Sequence, residues 1–495
     1  MIRFCLNPRC RVYFATIAGI IGVVCAAGET RADNGPLNLE SFIQSSLPTF
    51  ARSPTAGFLQ KSIESNRLST ESALEESPFS DRTDLNYSVF PSDNDPNDLL
   101  AFTRRTNSWV LTQELDYKLR SSLAATLTAT YDYDTYQQPI LLGDPLDRPF
   151  QVSLKLSYDV LRGGARSLDN SNAYASAAQS RQRIYSNYSD LTVARVQYTS
   201  LLTDIFVTQC KIVVLKGAQE TVEKTVRTGN LQEKTKTIAH KEYLNFVDLE
   251  NSFARRMATL QSSSESLLKQ LLAWGDDASK LSLQLQSTPL QCDLRLEELI
   301  KKIRTYRLSQ ADLESIARVM PTTGAATASR EASEHLLRVA HLTNLPSLLP
   351  YVQGGYSQTP HSLQPFDSGT VGVTLQWTPP LSKGAKAESA AQFALDSSER
   401  QEQKAVYDNT AHLSDLESQI QSQENILNVL QRSLENSHEL LRTLEAYRAI
   451  GGIDSLNYAN AYINSIDAHH ALFDSWGTLE KTMFEFREYR AWKKN

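Results

Sequence analysis

The sequence has few of the residues that mark disulfide-rich, collagen-like and low-complexity chains. It contains 5 cysteines, 20 glycines and 18 prolines among 495 residues, and this composition excludes those three classes. The formal net charge is −6, so a basic nucleic-acid-binding surface is not expected. Beyond the N-terminus, no apolar run approaches the roughly 20 residues that a membrane-spanning helix needs. Any span of the lipid core would therefore have to be made by β-strands.

Motifs for catalysis and metal binding are also missing. No P-loop or G-x-G-x-x-G motif follows a strand-like segment, and the adjacent pair His469-His470 lacks the spacing of an H-E-x-x-H site. No C-x-x-C motif or Cys/His cluster points to a metal. We therefore expect a protein that is not an enzyme and that uses no cofactor or metal.

The N-terminus has the pattern of a secretory signal peptide. Three arginines, at positions 3, 9 and 11, precede the apolar stretch 15–24, and the small residues 26–28 follow. A retained membrane anchor is the alternative, but the apolar stretch is short, which favours cleavage and export. Cys25 suggests a lipoprotein, yet Val24 is larger than the residue expected before a lipidated cysteine, so lipidation is not favoured.

Two cysteines lie beyond the signal peptide, Cys210 and Cys292. In an oxidising compartment, an even number of cysteines is consistent with a disulfide bond. Two separate buried thiols fit the sequence equally well, and both alternatives stay open at this point.

A strand, a small-residue turn and a long helix occur twice in the same order, which indicates an internal duplication. The predicted strands 152–158 and 371–377 each lead into such a turn and helix, and a further strand precedes each of them, at 123–136 and about 349–357. The glycines at the strand-to-helix junctions are Gly163, Gly164 and Gly384. Each long helix is followed by a short break and a second helix.

The duplication predicts four segments. They are a signal peptide (1–32), an N-terminal helix with a poorly patterned segment (33–105), a first repeat (106–290) and a second repeat (291–495). Residues 52–105 are rich in Ser, Asp, Glu and Pro. A strand-like stretch at 109–119 either extends the first strand of the repeat or forms an extra surface element.

The predicted strands alternate between apolar and polar residues, with a period of two. A soluble β-sandwich shows this pattern with its apolar face inward, whereas a membrane barrel turns that face to lipid and often carries aromatic residues near the strand ends. Tyrosine and tryptophan residues near the strand ends, together with the signal peptide, favour the barrel. The candidate lipid-facing residues are Leu127, Tyr131, Leu154, Leu156, Val373, Leu375 and Trp377.

The helical segments are unusually long and have coiled-coil spacing. No proline interrupts residues 164–236 or 384–450, which allows helices of roughly 110 Å and 100 Å. In the second segment, apolar residues recur three and four positions apart. This seam comprises Leu413, Leu416, Ile420, Gln423, Leu427, Leu430, Leu434, Ser437, Leu441 and Leu444, of which only Gln423 and Ser437 are polar. Ile426 and Leu440 lie off the seam and suggest that the helix has partners on two sides.

Each long helix is expected to turn back into its second helix. The first break is predicted near 240–246, with Asp248 at the start of the following helix. The second break is predicted at Gly451-Gly452, with Asp454 as the N-cap of the next helix.

Four amphipathic strands cannot stand alone in lipid. Every backbone donor and acceptor there must be paired, and closed membrane barrels start at about eight strands. Several copies of the chain must therefore pool their strands, and three copies would supply about twelve.

The order of these elements resembles the TolC family of outer-membrane efflux proteins. The similarity rests on the first helix at 37–43, the segment 344–350, the two junctions, and the segment 446–456. It implies a mainly α fold with membrane β structure, in which a trimeric β-barrel of about twelve strands continues into a long α-helical coiled-coil barrel. A homotrimer in the outer membrane, spanning into the periplasm, would then work with a periplasmic adaptor (membrane fusion) protein and an inner-membrane transporter. The resemblance implies passive conduction in efflux or type I secretion, without catalysis or nucleic acid.

In that family, acidic residues just after the helix-hairpin turns line a periplasmic constriction. By position, the resemblance assigns this role to Asp248 and Asp454, and a third position falls at Asn457, which departs from the pattern. Both aspartates can also be read as simple helix caps.

An exported trimeric coiled-coil adhesin or envelope spacer is the alternative function. It explains the heptads and the signal peptide, but not the duplicated order of strands and helices.

Overall fold

The computed structural model describes most of the chain beyond the predicted signal peptide. The described residues are 37–74, 79–89, 105–118, 123–136, 150–163, 167–275, 281, 285, 290–292, 296–359, 362–376, 383–449 and 455–493. Several residues singled out in the sequence lie outside these ranges: Cys25, Gly164, Trp377, Gly451, Gly452 and Asp454. No helix in the described ranges is both long and apolar enough to cross a membrane.

The described elements follow the duplicated order expected from the sequence. In the first half of the chain they are α1 (Leu39–Arg52), α2 (Pro54–Leu74), β1 (Phe79–Val89), β2 (Arg105–Lys118), β3 (Leu123–Tyr136), β4 (Phe150–Tyr158), α3 (Ser167–Lys234) and α4 (His240–Leu272). In the second half they are α5 (Leu296–Arg304), α6 (Gln310–Ala317), α7 (Pro321–Asn344), β5 (Ser347–Thr359), β6 (Ser362–Gln376), α8 (Lys383–Ala449) and α9 (Ser455–Ala491). The expected fold class, mainly α with antiparallel strands and an internal duplication, is confirmed.

The chain divides into two compact units. The first, called the helical unit, draws on Met1–Ser65, Arg183–Ala325 and Gln403–Asn495. The second, called the sheet unit, draws on Asn66–Gln182 and Ala326–Glu402. Each predicted repeat therefore contributes strands to the sheet unit and helices to the helical unit.

The sheet unit contains one antiparallel sheet of six strands in the order β1-β2-β3-β4-β5-β6. The sequence predicted four of them, at the positions of β3 to β6, so the sheet is wider than expected. The stretch 109–119, whose role was left open, belongs to a separate strand, β2, which pairs with β3. The additional strand β1 lies in the segment that looked irregular, because its polar composition hides a short apolar alternation.

The helical unit is built from long helices whose apolar seams are buried. The seam predicted in α8 is confirmed, because Leu413, Ile420 and Leu427 are fully buried. They pack against residues of α9 such as Leu479 and Met483. Burial of each such side chain stabilises the fold by about 1.5–3 kcal/mol relative to an exposed position.

Helix α1 begins where the sequence predicted the first helix. Asn38 caps it, since its Oδ1 accepts a hydrogen bond from the Ser41 backbone N–H (2.8 Å) while the Asn38 N–H donates to Ser41 Oγ (3.2 Å). Its apolar side packs on α3, where the rings of Phe42 and Phe206 lie 5.8 Å apart.

The first helix hairpin turns earlier than the sequence predicted. Helix α3 ends at Lys234 and α4 begins at His240, so Asp248 lies inside α4 and does not cap it. Lys236 takes the left-handed conformation (φ 58°) that glycine usually supplies at a helix end. The Thr237 N–H donates to Gln232 O and the Lys236 N–H to Glu233 O, both at 2.8 Å. This pair of bonds is the Schellman motif, and it ends α3 without a glycine.

Candidate functional site

One face of the sheet is apolar across neighbouring strands and is exposed in the single chain. Leu127 pairs in register with Leu154, and Leu156 pairs with Val352, which pairs with Val371. Every one of these side chains is exposed, and Val371 is 81% accessible. A contiguous apolar patch of this kind marks a surface that meets lipid or another protein.

Six of the seven predicted lipid-facing residues lie at positions on this apolar face, and the seventh, Trp377, is outside the described residues. Leu127, Leu154, Leu156, Val373 and Leu375 are all exposed large hydrophobic residues of the sheet. Tyr131 occupies a position on the same face of β3, opposite Leu111 of β2. Leu111 is itself exposed, so the apolar face extends beyond the four predicted strands.

The opposite face of the sheet is polar. The residues of β3 to β5 that share it include Thr126, Thr128, Thr130, Ser153, Lys155, Ser157 and Gln353. Lys155 Nζ lies 4.6 Å from the centroid of the Tyr351 ring, a distance typical of a cation–π contact. Gly372 leaves room for that ring, because a Cβ there would come within 2.6 Å of it. A polar face opposite an apolar one is what a membrane barrel needs toward its lumen.

The first strand-to-helix junction is fixed by buried polar contacts within the sheet unit. Asp159 is buried; its Oδ1 accepts from the Arg162 N–H (3.2 Å) and its Oδ2 from the Ser347 hydroxyl (2.8 Å). The Arg162 guanidinium donates to Leu345 O at 2.9 and 3.2 Å. Gly163 then adopts φ +74°, a conformation that costs other residues roughly 1–2 kcal/mol. The predicted junction residue Gly163 is thus required by the backbone.

The second junction is built differently. Gly384 already lies inside α8, as its second residue, so the helix passes through it. Asn344 at the end of α7 donates from Nδ2 to Gly384 O (3.2 Å) and to Glu388 Oε2 (3.0 Å), and His341 contacts the other oxygen of Glu388 at 3.0 Å. These hydrogen bonds, from His341 first and then from Asn344, lower the pKa of Glu388.

The starts of α4 and α9 lie side by side in the helical unit. Asn245 Nδ2 donates to Ser455 Oγ (3.1 Å), a pair 210 residues apart in sequence, and Arg256 forms an ion pair with Asp467, a pair 211 residues apart. The nearly constant separation over about three helical turns means that the two helices run parallel and in register.

This pairing brings two of the three predicted constriction residues to one level. Asp248 follows Asn245 by less than one turn, and Asn457 follows Ser455 by two positions, and both side chains are exposed. The third, Asp454, and the turn residues Gly451 and Gly452 lie outside the described residues.

The two mature cysteines form a disulfide bond between α3 and the segment that follows α4. The Cα atoms of Cys210 and Cys292 are 5.6 Å apart and the bond spans 82 residues of sequence. Cys210 is fully buried in a core shared by α1, α3 and α9. Of the two alternatives left open by the sequence, the structure has the disulfide.

Sequence reasoning missed a histidine contact between α8 and α9. His438 Nε2 and His469 Nε2 lie 3.1 Å apart. The pKa of His469 is lowered to about 4, mainly because the imidazole is buried and also because the charges of His438 and His470 oppose its protonation. Heptad spacing could have placed both residues near the seam but could not pair them. Among the described residues, no group of three or more His, Cys, Asp or Glu side chains could hold a metal ion.

Comparisons with known proteins find similarity in solved structures. No protein-family model matches the chain, and no curated protein matches it. A membrane protein from Pseudomonas aeruginosa aligns with a TM-score of 0.59 and 13% identity over 94% of this chain and 97% of that one. The Campylobacter jejuni CmeC outer membrane channel aligns with a TM-score of 0.59 and 13% identity over 95% of this chain and 91% of that one. The outer membrane protein VceC of Vibrio cholerae aligns with a TM-score of 0.57 and 10% identity over 90% of this chain and 95% of that one. The chain therefore has the fold of these membrane proteins, as its resemblance to the TolC family predicted for the single chain.

Proposed function

We propose that this chain forms an outer-membrane channel that conducts solutes passively from an inner-membrane pump across the periplasm and the outer membrane. The observation that carries the proposal is the sheet with one exposed apolar face and one polar face, on a chain that shares its fold with the CmeC outer membrane channel. The proposed system is a tripartite efflux or type I secretion assembly. It includes a periplasmic adaptor (membrane fusion) protein, an inner-membrane transporter, and no catalytic step in the channel.

The apolar face of the sheet is assigned to outer-membrane lipid. Exposed positions such as Val371, Val373 and Leu375 would remain in water in a soluble protein, at a cost of about 25 cal/mol for each Å² of apolar surface. Lipid removes that cost. The polar face then lines a water-filled lumen.

The sheet cannot serve this role in one copy. Within the described residues, β1 and β6 are edge strands, each paired on one side only. Unpaired backbone groups cost several kcal/mol each in hydrocarbon, and a closed barrel needs about eight strands or more. A ring of several copies satisfies both conditions, and we propose a homotrimer.

Helix α8 supports assembly independently of the sheet. Its seam is buried within the chain, but a second apolar stripe is exposed on the flank of the same helix. That stripe comprises Tyr407, Ile426, Val429, Leu440 and Tyr447. At 100° per residue these positions fall within an arc of about 100° that flanks the seam. We assign the stripe to contact with helices of a neighbouring copy.

The starts of α4 and α9 are assigned to the periplasmic constriction. In a ring of copies, Asp248 and Asp454 would set several carboxylates around a narrow aqueous passage, with Asn457 nearby. Such a ring attracts cations and repels anions.

Conductance in planar bilayers tests the channel and its constriction together. We expect purified protein to form channels of low resting conductance, and Asp248→Ala with Asp454→Ala to raise the leak and weaken block by divalent cations. Glu265→Ala is the control, because Glu265 is exposed but lies near the other end of α4. Unchanged leak and unchanged divalent block in the double variant would remove the constriction assignment.

Fractionation separates the channel from the envelope spacer. The channel predicts heat-resistant trimers in detergent extracts of outer membranes, whereas a soluble periplasmic rod would contradict it. Deletion of the gene, read out by antibiotic susceptibility and by the secreted proteome, then distinguishes efflux of small molecules from export of proteins.

A further inference from the structure

The β1–β2 hairpin lies at the same level as the four strands that the sequence predicted. Register rows run straight through it: Phe79 pairs with Tyr117, Tyr117 with Ala125, and Ala125 with Leu156. A second row, eight residues along β2, joins Tyr87, Trp109 and Tyr133. These rows are about 26 Å apart along the strand, close to the height of the apolar band of a membrane barrel.

The two faces of the sheet also continue through the hairpin. By strand alternation, β1 contributes Phe79, Asp81, Thr83, Leu85, Tyr87 and Val89 to the apolar side, and Ser80, Arg82, Asp84, Asn86 and Ser88 to the polar side. The polar side of β1 has no apolar residue. Asp81 is the acidic exception on the apolar side, and it lies one register step from the Phe79 row, near the strand start.

Strand pairing within the chain leaves two edges for contact with other copies. Strand β3 is paired on both sides, by β2 and by β4, so it has no free edge. The strands alternate in direction and are six in number. With an even number of alternating strands, β1 and β6 of one chain run in opposite directions. If the copies are related by rotation about an axis along the strands, β1 of the next copy therefore runs antiparallel to β6 of the first.

We propose that the β1–β2 hairpin is part of the barrel wall, and that each copy joins the next through β1 of one and β6 of the other. The partner is a second copy of this chain. In the trimer proposed above, on which the copy number rests, six strands from each chain give a wall of eighteen strands rather than twelve. Because barrel diameter grows roughly in proportion to strand number, the lumen is about one and a half times as wide.

Cysteine cross-linking in the full-length protein tests this interface. Nine double variants combine Arg82→Cys, Asp84→Cys or Asn86→Cys in β1 with Thr370→Cys, Thr374→Cys or Gln376→Cys in β6, all on the polar face. After mild oxidation of the protein in outer-membrane vesicles, we expect at least one combination to shift the band from one copy to two and three copies. The use of several combinations allows for the stagger of strands around a barrel.

A matched control tests whether β2 pairs with β3 within one chain. Glu114 and Thr128 are register partners within one chain, so Glu114→Cys with Thr128→Cys should form a bond that leaves the band at one copy.

The competing arrangement sets the hairpin apart from the wall and pairs β3 of one copy with β6 of the next. It predicts that Thr126→Cys, Thr128→Cys or Thr130→Cys cross-links copies with the same β6 positions. That result overturns the inference, and so does the absence of any β1–β6 product in intact trimers. Trimer content and bilayer conductance are measured on the same variants. If both persist while the β1–β6 products are absent, only this interface fails; if no membrane oligomer forms, the proposed function fails.

Discussion

The long helices of the two repeats, α3 and α8, are 68 and 67 residues in length, but they bury their apolar residues differently. Helix α3 packs on α1, α4 and α9, and its central apolar positions, such as Tyr198, Leu202 and Phe206, are fully buried. Helix α8 buries one seam and exposes the stripe that flanks it, while the exposed apolar residues of α3 include Val193, Val213 and Leu231. Duplication has therefore preserved the element and its length, while the neighbours of each helix determine which sides are covered.

The repeats also differ where strand meets helix and where helix meets helix. The first repeat has a left-handed Gly163, and its Cys210 is bonded to Cys292 at the start of the second repeat. The second repeat has a helix that runs through Gly384 and a histidine pair between α8 and α9. These differences indicate that the two repeats use different local contacts to hold the same order of elements. The following predictions test that difference, beginning with the largest effect.

Adjacent residues of α8 should separate folding from assembly. Leu427 is 0% exposed and Ile426 is 42% exposed. We expect Leu427→Ala to lower the free energy of unfolding by about 2–5 kcal/mol, because it leaves a cavity in the seam. Ile426→Ala should hardly change unfolding of the single chain but should weaken the oligomer. Urea unfolding followed by circular dichroism, and gels of unheated samples, measure the two effects; equal loss of stability in both variants would contradict the assignment of the stripe.

Removal of the disulfide should loosen the segment between α4 and α5, which the bond ties to α3. Cys210→Ala with Cys292→Ala frees a loop of 82 residues, and we expect a loss of about 2–4 kcal/mol. Proteolysis should then cut first between α4 and α5, as mass spectrometry of the fragments would reveal. A cleavage pattern identical to that of the unmodified protein would show that the bond is not needed to hold this segment.

Acid should weaken the second repeat more than the first. The folded protein keeps His469 neutral down to a pKa of about 4, while the unfolded chain takes up a proton near pH 6.5. Stability therefore falls as the pH falls from about 6.5 to about 4, by about 1–2 kcal/mol after allowance for partial exposure. His469→Gln should flatten this part of the stability curve. In the first repeat, Gln209 of α3 donates a hydrogen bond to Ser264 of α4 (2.7 Å). Neither side chain titrates, so Gln209→Ala should leave the acid slope unchanged.

A second histidine of α8 provides a control of opposite sign. A hydrogen bond from His412 Nε2 to the Glu485 carboxylate (3.0 Å) raises the pKa of His412. The contribution of the His412–Glu485 pair to the free energy of unfolding is therefore complete below about pH 6.5, and it is lost as the pH rises through the raised pKa of His412. His412→Gln should cost a few tenths of a kcal/mol at pH 6 and nothing at pH 9. A larger loss at pH 9 would reverse this assignment.

The two junction glycines should respond differently to the same substitution. Gly163→Ala forces a Cβ into a left-handed backbone and should cost about 1–2 kcal/mol. Gly384→Ala lies in the first turn of α8 and should be neutral or stabilising, by up to about 1 kcal/mol. Thermal unfolding of both variants measures the difference, and equal melting temperatures would mean that the two junctions share one backbone requirement.

The sequence predicted the elements that carry a strong period and missed those that depend on local backbone geometry or on three-dimensional neighbours. Heptad spacing located the buried seam of α8, and alternation located β3 to β6. The start of α4 was placed too late, because Lys236 supplies a left-handed turn that its side chain does not signal. Strand β1 was missed because polar residues dominate its segment. The pairing of Cys210 with Cys292 depends on how the helical core brings distant segments together, which spacing alone cannot reveal.

Cryo-electron microscopy of the detergent-extracted protein in lipid nanodiscs tests the central claim most directly. We expect three copies around one axis, with their sheets joined into a closed wall in the lipid disc and the valine and leucine side chains of β6 facing the acyl chains. A single copy, or an assembly whose sheets stay open and lie outside the lipid, would contradict the account.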